Sequence, residues 1–385
     1  MKIGVDARLL TKQKTGIGYF LDHLLTQMLS LDHKNQYYLL SDRPIVFPLA
    51  RSCPNVATII YQDGIVFRKS FYYRWKLSSF LEKQGLDLDV FWAPSHILPS
   101  GLPLKTKKLL TVHDFTYLVV PKACSRYNRL IMKMMFPSSV KEADYIACVS
   151  HTTQNDLENL FAKEIKGKKV CTIYNGGNGE ATTGKNGTGG QREEKEAIPE
   201  RIAPILGKRF ILFVGTIEPR KNLSVLVDAA PLLKGKAQIV VAGKLGWETK
   251  EMTEKIQHTE NLIYLGYITD EEKEVLMKNC FCQIEPSIYE GFGLPVVECM
   301  QEGRLALVAD NSSLREIVEM PELRFETHSA ENLADQLNQL ISHPDLYDKA
   351  LQYCNKRARD FSWKEAAKQY LTLLEACGNE NTDHQ

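Results

Sequence analysis

Short apolar runs alternate with longer amphipathic stretches along this chain, and the alternation occurs twice. In the first half, KIGVDA (2–7), QYYLLS (36–41), ATIIYQ (57–62), DVFWAP (89–94), KLLTVHD (108–114) and DYIACVS (144–150) are brief and rich in β-branched or aromatic residues. Such runs predict strands. Tyr19–Leu31 and Phe71–Gln84 carry apolar residues at helical spacing between them. After residue 200 the pattern restarts, with RFILFVGT (209–216), AQIVVAG (237–243), LIYLGY (262–267), CFCQIEP (280–286) and LALVAD (305–310) as strands. Alternating strand and helix predicts parallel sheets covered on both faces. The expected fold is therefore α/β, with two Rossmann-like doubly wound parallel-sheet domains facing across a cleft. Ligands of such sheets sit beyond the carboxyl ends of strands, so chemistry belongs in the loops that follow them.

The two patterns are separated by NGGNGEATTGKNGTGG (175–190) and the charged QREEKE that follows. This composition cannot build a core and reads as a flexible linker or insertion over 178–200. The expected domains are 1–177 and 201–360. DFSWKEAAKQYLTLLEAC (360–377) supplies one more amphipathic helix, and 378–385 read as a disordered tail.

Composition narrows the class. An apolar fraction of 44% and a charged fraction of 25% are ordinary for a soluble globular protein. No apolar run approaches the ~18 residues of a membrane-spanning helix. The opening MKIGVDARLL lacks the apolar core and cleavage site of a signal peptide and reads as a first strand. Nine cysteines without a C-x-x-C pair fit a reduced, cytoplasmic protein with buried thiols. Charge is uneven: residues 1–178 carry 24 Lys/Arg against 14 Asp/Glu, and the remainder 24 against 33, or +10 and −9. Either the basic half meets an anionic membrane or a phosphorylated acceptor, or the two domains are merely solvated differently.

The loops after strands carry the candidate chemistry. In VGTIEPRKNL, Gly215 lets the backbone turn close to a ligand, and Arg220 with Lys221 sets two cations at the expected start of a helix, suited to a diphosphate. In IEPSIYEGFGLPVVECM, Glu290 and Glu298 bracket a turn in which the amides of Gly291, Phe292, Gly293 and Leu294 can meet an anion or hydroxyls. Glu290 sits on the loop before the turn and Glu298 about one helical turn beyond Pro295, so the two fit different polyol parts of one ligand; metal binding is the rival, but no His or third carboxylate completes a site. His113 ends the strand of TVHDFTYL, where it either contacts substrate or serves the core. Gly16 and Gly18 in KTGIGYF form a turn for a phosphate or acceptor, or serve packing alone. VFRKSFYYRWKLSSF (66–80), with Arg126, Arg129 and Lys133 further on, suits an anionic lipid surface or a core-facing aromatic helix.

GTIEPRKNL followed by PSIYEGFGLPVVECM resembles the signature of the retaining glycosyltransferases of family four, which have the GT-B fold. IGVDARLLTKQKTGIGYF, TVHDFTYL, VSHTTQNDL, YNG (174–176), AGKLGW (242–247) and YLGYITDEE (264–272) extend the resemblance over most of the chain. It implies transfer of a hexose from a nucleotide-diphosphate sugar, GDP-mannose before UDP-glucose, to a glycan or lipid-linked acceptor in cell-surface polysaccharide or lipopolysaccharide synthesis. It also implies that neither metal nor cofactor is needed, and no nucleic-acid partner is expected. Arg220 and Lys221 would hold the diphosphate, Glu290 and residues 291–294 the hexose and phosphate, and Glu298 the ribose. Gly215, Gly243 and Tyr267 would line the donor site, His113 would approach the reacting sugar, and Gly16 and Gly18 would border phosphate and acceptor. The last helix would cross back onto the first domain. QEGRLALVAD departs from the pattern: Arg304 replaces a small residue and Leu305 a common proline, which alters the wall behind Glu298. An epimerase or hydrolase of the same fold, or a silent glycan-binding protein, are the competing readings.

Overall fold

The computed structural model of the protein describes residues 1–11, 14, 16–61, 69–177, 199–247 and 249–379. Residues 178–198 of the expected linker and 380–385 of the expected tail lie outside the described residues. The chain forms two compact units, one of Met1–Phe115, Arg126–Asn175 and the segment from Trp363, the other of Thr116–Ser125 and Gly176–Ser362.

The first unit holds a parallel sheet of β1 (Lys2–Asp6), β2 (Gln36–Ser41), β3 (Val56–Ile60), β4 (Val90–Ala93), β5 (Lys107–Val112), β6 (Tyr145–Cys148) and β7 (Lys169–Thr172), in the order β3-β2-β1-β4-β5-β6-β7. β4 and β6 are buried at every residue, as strands covered on both faces must be. β7, an edge strand with no fully buried residue, escapes the pattern reading because KVCT is short and follows a lysine-rich stretch. The C-terminal helix, expected to end at Cys377, runs Trp363–Asn379 and packs on this unit. Its Tyr370 hydroxyl lies 3.1 Å from Thr111 Oγ1, and its Tyr370 and Trp363 rings meet Phe20 of the first helix. Burying an aromatic such as Phe20 stabilises by about 1.5–3 kcal/mol, which fixes the helix despite its exposed polar face.

The second unit holds a parallel sheet of β8 (Phe210–Val214), β9 (Gln238–Ala242), β10 (Leu262–Gly266), β11 (Cys282–Glu285), β12 (Leu305–Ala309) and β13 (Arg324–Phe325), ordered β10-β9-β8-β11-β12-β13. β13 is two residues long, too short for any periodicity to register. In each sheet the strand order reverses once, between β1 and β4 and between β8 and β11. Loops leaving the carboxyl ends on either side of such a reversal diverge and leave a crevice.

Candidate active site

The second unit concentrates charge at its reversal point. The loop after β8 carries Arg220 and Lys221 on a 3₁₀ turn, Pro219–Lys221, closed by Asn222 in the left-handed region (φ 51°). This corrects the expectation of a helix start: the α-helix begins later, at Ser224. Asn222 Nδ2 donates to the Pro286 and Thr327 carbonyls (3.1 and 2.6 Å), tying the turn to the loops after β11 and β13. Lys221 is buried, and its Nζ donates to Glu290 Oε1 at 2.8 Å and approaches both Glu285 oxygens at 3.2 and 3.3 Å. Arg220 is ion-paired with Glu290 and with Glu218 (2.9 Å), and donates to the Tyr289 carbonyl at 3.0 Å.

Burial works against the Lys221 ammonium, but the acidic groups around it, Glu290 among them, outweigh it and hold it above its ordinary value. Burial likewise pushes the Glu290 carboxyl up, and Arg220 and Lys221 more than offset that, holding it down at about 2. Glu290 is thus a fixed anion and its two partners are fixed cations, an arrangement that needs no reorganisation when a charged ligand arrives.

Glu290 opens the glycine turn. Gly293 has φ +108°, and a Cβ there would meet Leu314 Cδ2 at 3.0 Å, so the turn requires glycine. Ser312 Oγ accepts from the Glu290 amide (3.0 Å), and Ser313 Oγ lies 2.8 and 3.0 Å from the Glu290 and Phe292 carbonyls. These serines hold the turn ahead of helix Leu294–Gln301, where Pro295 suits the first turn and the amide of Leu294 has no intrahelical acceptor. Phe292 is buried against Phe361, edge to face.

Glu298, on that helix, is held apart from Glu290. Lys273 Nζ donates to both its oxygens, at 3.1 and 3.0 Å. Burial raises the Glu298 carboxyl, with Lys273 opposing. Each motif carboxylate therefore has its own cation. A third carboxylate does join Glu290, contrary to the count made from sequence, but it is Glu285 and a lysine stands between the two. Gly215 and Gly243 make backbone contact: a Cβ on Gly243 (φ +144°) would overlap the Gly215 carbonyl oxygen. Tyr267 follows β10 with its side chain exposed, while its carbonyl accepts from Arg201 at 3.0 Å.

The first unit holds the remaining candidates. His113, after β5, is buried; its Nε2 bonds the Pro94 carbonyl at 2.7 Å, and Phe20 and His96 stand edge-on at 4.7 and 5.3 Å. Burial, then His96, lowers His113 to about 3. It is therefore a neutral imidazole whose Nε2–H is spent on the backbone, leaving Nδ1 as an acceptor. Gly16 and Gly18 are the first turn of helix Gly16–Leu31, not a flexible turn before it. A Cβ on Gly18 would sit 2.9 Å from the Leu9 carbonyl oxygen, whereas Gly16 has open space. Of the interleaved basic and aromatic residues, Arg74 is buried and paired with Glu142, so it adds nothing to a surface; Trp75, Lys76, Arg126 and Lys133 are exposed.

The family model for glycosyltransferase family 4 matches residues 15–178, and that for glycosyl transferases group 1 matches residues 194–361. The chain belongs to the family 4, group 1 glycosyltransferases. This glycosyltransferase is 24% identical over 299 residues to the O-antigen chain mannosyltransferase B of Escherichia coli, covering 73% of each. Its fold matches sucrose-phosphate synthase from Thermosynechococcus elongatus (TM-score 0.71, 17% identity, 98% of both chains). It also matches HepE from Anabaena in complex with UDP and glucose (TM-score 0.70, 15% identity, 98% of this chain and 100% of that one). The fold is GT-B.

Several residues of this glycosyltransferase's charged centre were not read from sequence. Glu285 carried a signal, as the one charge in the apolar run CFCQIEP. Ser312 and Ser313 follow a strand as NSS, a helix-start pattern. Lys273 sits among four acidic neighbours in the run DEEKE and had no distinguishing mark. His96 (φ 62°), after β4, is buried with Nδ1 unpartnered, a strained conformation that sequence does not announce.

Proposed function

We propose that the protein transfers a hexose with retention of anomeric configuration from a nucleotide-diphosphate sugar, GDP-mannose before UDP-glucose, to a glycan or lipid-linked acceptor in cell-surface polysaccharide or lipopolysaccharide synthesis. The observation that carries this reading is the Arg220–Lys221–Glu290 cluster at the β8/β11 reversal, its lysine and glutamate buried, beside a glycine turn that opens a helix. Arg220 and Lys221 bind the diphosphate and stabilise the charge it gains as the sugar–oxygen bond breaks. Glu290 and the turn Gly291–Leu294 hold the hexose and phosphate, Glu298 the ribose hydroxyls, and Gly215, Gly243 and Tyr267 line the donor site. The neutral His113 accepts from a sugar hydroxyl, and Gly16 and Gly18 border the phosphate and acceptor. With no carboxylate nucleophile assigned, the acceptor oxygen attacks the face the diphosphate leaves, and the departing phosphate oxygen takes its proton. Similarity to an O-antigen mannosyltransferase supports the choice of donor and acceptor class.

The test is product analysis with GDP-mannose and UDP-glucose, with and without acceptor, in the presence of EDTA. Acceptor-dependent formation of the retained glycoside at an undiminished rate supports the reading. Conversion without acceptor favours an epimerase or hydrolase, and loss of rate in EDTA ends the metal-free mechanism.

The acceptor class implies work at the cytoplasmic face of a membrane. Helix Arg126–Glu142 exposes Tyr127, Leu130 and Met134 at i, i+3 and i+7, with Arg126 and Lys133 beside them. Among the described residues no helix is long and apolar enough to cross a membrane. Surface contact by this stripe predicts that vesicles with anionic lipid retain the protein at low salt, and that Lys133→Glu with Leu130→Ser releases it.

A further inference from the structure

The hydroxyl of Ser287 lies 2.6 Å from Glu285 Oε1 and 2.8 Å from Glu290 Oε1. A serine hydroxyl has one proton. If both carboxyls were ionised, one of these contacts would set oxygen lone pairs against each other with nothing between them. One extra proton on a carboxyl resolves the arrangement, and geometry says which. Glu290 receives Lys221 at 2.8 Å together with Arg220, as a carboxylate does. Glu285 is fully buried and keeps Lys221 at 3.2 and 3.3 Å from its two oxygens, long for a charge-assisted bond, while its contact with Ser287 is short. We propose that Glu285 is a neutral carboxylic acid at neutral pH, donating to Ser287, which donates to Glu290, and that this chain positions Lys221 and Glu290 for the donor diphosphate.

Burial pushes the Glu285 carboxyl up and Glu290 adds to it, with Lys221 opposing, in agreement. The charge count explains the use of a neutral acid. With Glu285 protonated, the formal charges of Glu218, Arg220, Lys221 and Glu290 cancel; ionised, Glu285 would leave the cluster net negative where an anion must enter. A neutral Glu285 still occupies the space beneath Lys221 and aims its ammonium, without competing with the diphosphate for its charge. Glu285 acts through Ser287 and Lys221, so it is a positioning residue, and its role in donor binding rests on the function proposed above.

Difference infrared spectroscopy of the wild type against Glu285→Gln at neutral pH reads the proton directly. The expected difference is loss of a protonated-carboxyl carbonyl band that shifts in heavy water; loss of a carboxylate band instead overturns the proposal. Affinity for GDP and UDP reads the positioning. Glu285→Leu leaves Ser287 and Lys221 short of a partner and weakens the better-bound diphosphate by about 10–100-fold. Glu285→Gln, whose amide offers the same donor and acceptor as the neutral acid, recovers most of that loss. A Gln variant as weak as the Leu variant, or one that fails to fold, sinks the idea. If the wild type binds neither diphosphate, the reading of the cluster as a nucleotide site falls, while the infrared result still decides the proton.

Discussion

The two sheets reverse their strand order at the same kind of place, yet what stands at the two reversals is opposite in character. Beyond β4, at the first unit's reversal, and beyond its neighbour β5, His96 and His113 are neutral, walled by aromatic rings, and bonded to backbone or left without a partner at Nδ1. Beyond β8 and β11 in the second, four charged side chains and a buried acid share one network. The overall charge of each half points the other way: the half with the cation pair is the acidic one, at −9 from residue 179 onward. Net charge therefore says where a chain is solvated, while an anion site is made by a few buried cations with matched carboxylates. The comparison also assigns different physics to each centre. The charged centre stores preorganised electrostatics, and the neutral one offers shape and a hydrogen-bond acceptor.

The sharpest way to break this contrast is to replace one central side chain in each centre. Lys221→Ala leaves Glu290 to Arg220 alone and takes the hydrogen-bond partner from the buried Glu285, which costs about 1–3 kcal/mol of stability. Transfer falls by about 10²–10³-fold, the usual cost of losing one preorganised donor at developing negative charge. His113→Gln keeps an acceptor and a donor in similar places and should cost at most about tenfold in rate, the scale of one neutral hydrogen bond. Denaturant titration and steady-state kinetics on the two variants decide it. Equal losses would mean that the two centres do not differ as described.

Acid separates the centres next. His113 is held down near 3 from an ordinary 6.5, so the unfolded chain binds its proton first. The stability it contributes is complete above about pH 6.5 and is lost as pH falls toward 3, at up to about 1.4 kcal/mol per pH unit for one proton. Burial lowers His96 too, in the same sense. Glu290, held near 2 from 4.5, keeps its contribution until pH falls below about 4.5 and loses it toward 2. The first unit should therefore weaken at milder acid than the second. Trp75, Trp92 and Trp363 lie in the first unit, so urea transitions followed by tryptophan fluorescence report mainly on it. Between pH 7 and 5 the midpoint should fall, and in His113→Gln it should fall less. A midpoint flat to pH 4.5 would show the histidines are not buried neutral.

How much of this was legible follows the same division. The charged centre was visible because its members lie in two contiguous motifs, each just after an apolar strand, so local spacing carries the geometry. What stayed hidden was partnership. Nothing in the sequence says that Lys273, on helix Asp270–Asn279, reaches Glu298, or that the buried end of β11 turns Glu285 toward Lys221, because those contacts depend on how strands and helices stack. The strands were legible wherever both faces are covered, as in VFWA and YIAC, and also at the apolar edge runs that became β3 and β10; KVCT, which opens on a lysine, and the two-residue β13 were missed. Helix starts were misplaced where glycine misleads: Gly16 reads as a turn, yet the helix begins on it.

That glycine gives the smallest and most discriminating test of the neutral centre. Gly16 and Gly18 stand in one helical turn, but for different structural reasons. Gly18→Ala brings a Cβ to 2.9 Å from the Leu9 carbonyl oxygen, a backbone atom that cannot swing away, so this variant should lose about 1–3 kcal/mol. Gly16→Ala meets nothing within 4 Å and removes backbone freedom from the unfolded chain, so stability should hold or rise by up to about 1 kcal/mol. The fold thus gives Gly18 a reason to be glycine and gives Gly16 none. If Gly16 borders the phosphate or acceptor, its added methyl group should raise the substrate KM severalfold in a protein that is no less stable. An unchanged KM would remove Gly16 from the site and leave Gly18 and the histidines as the first unit's candidate contacts.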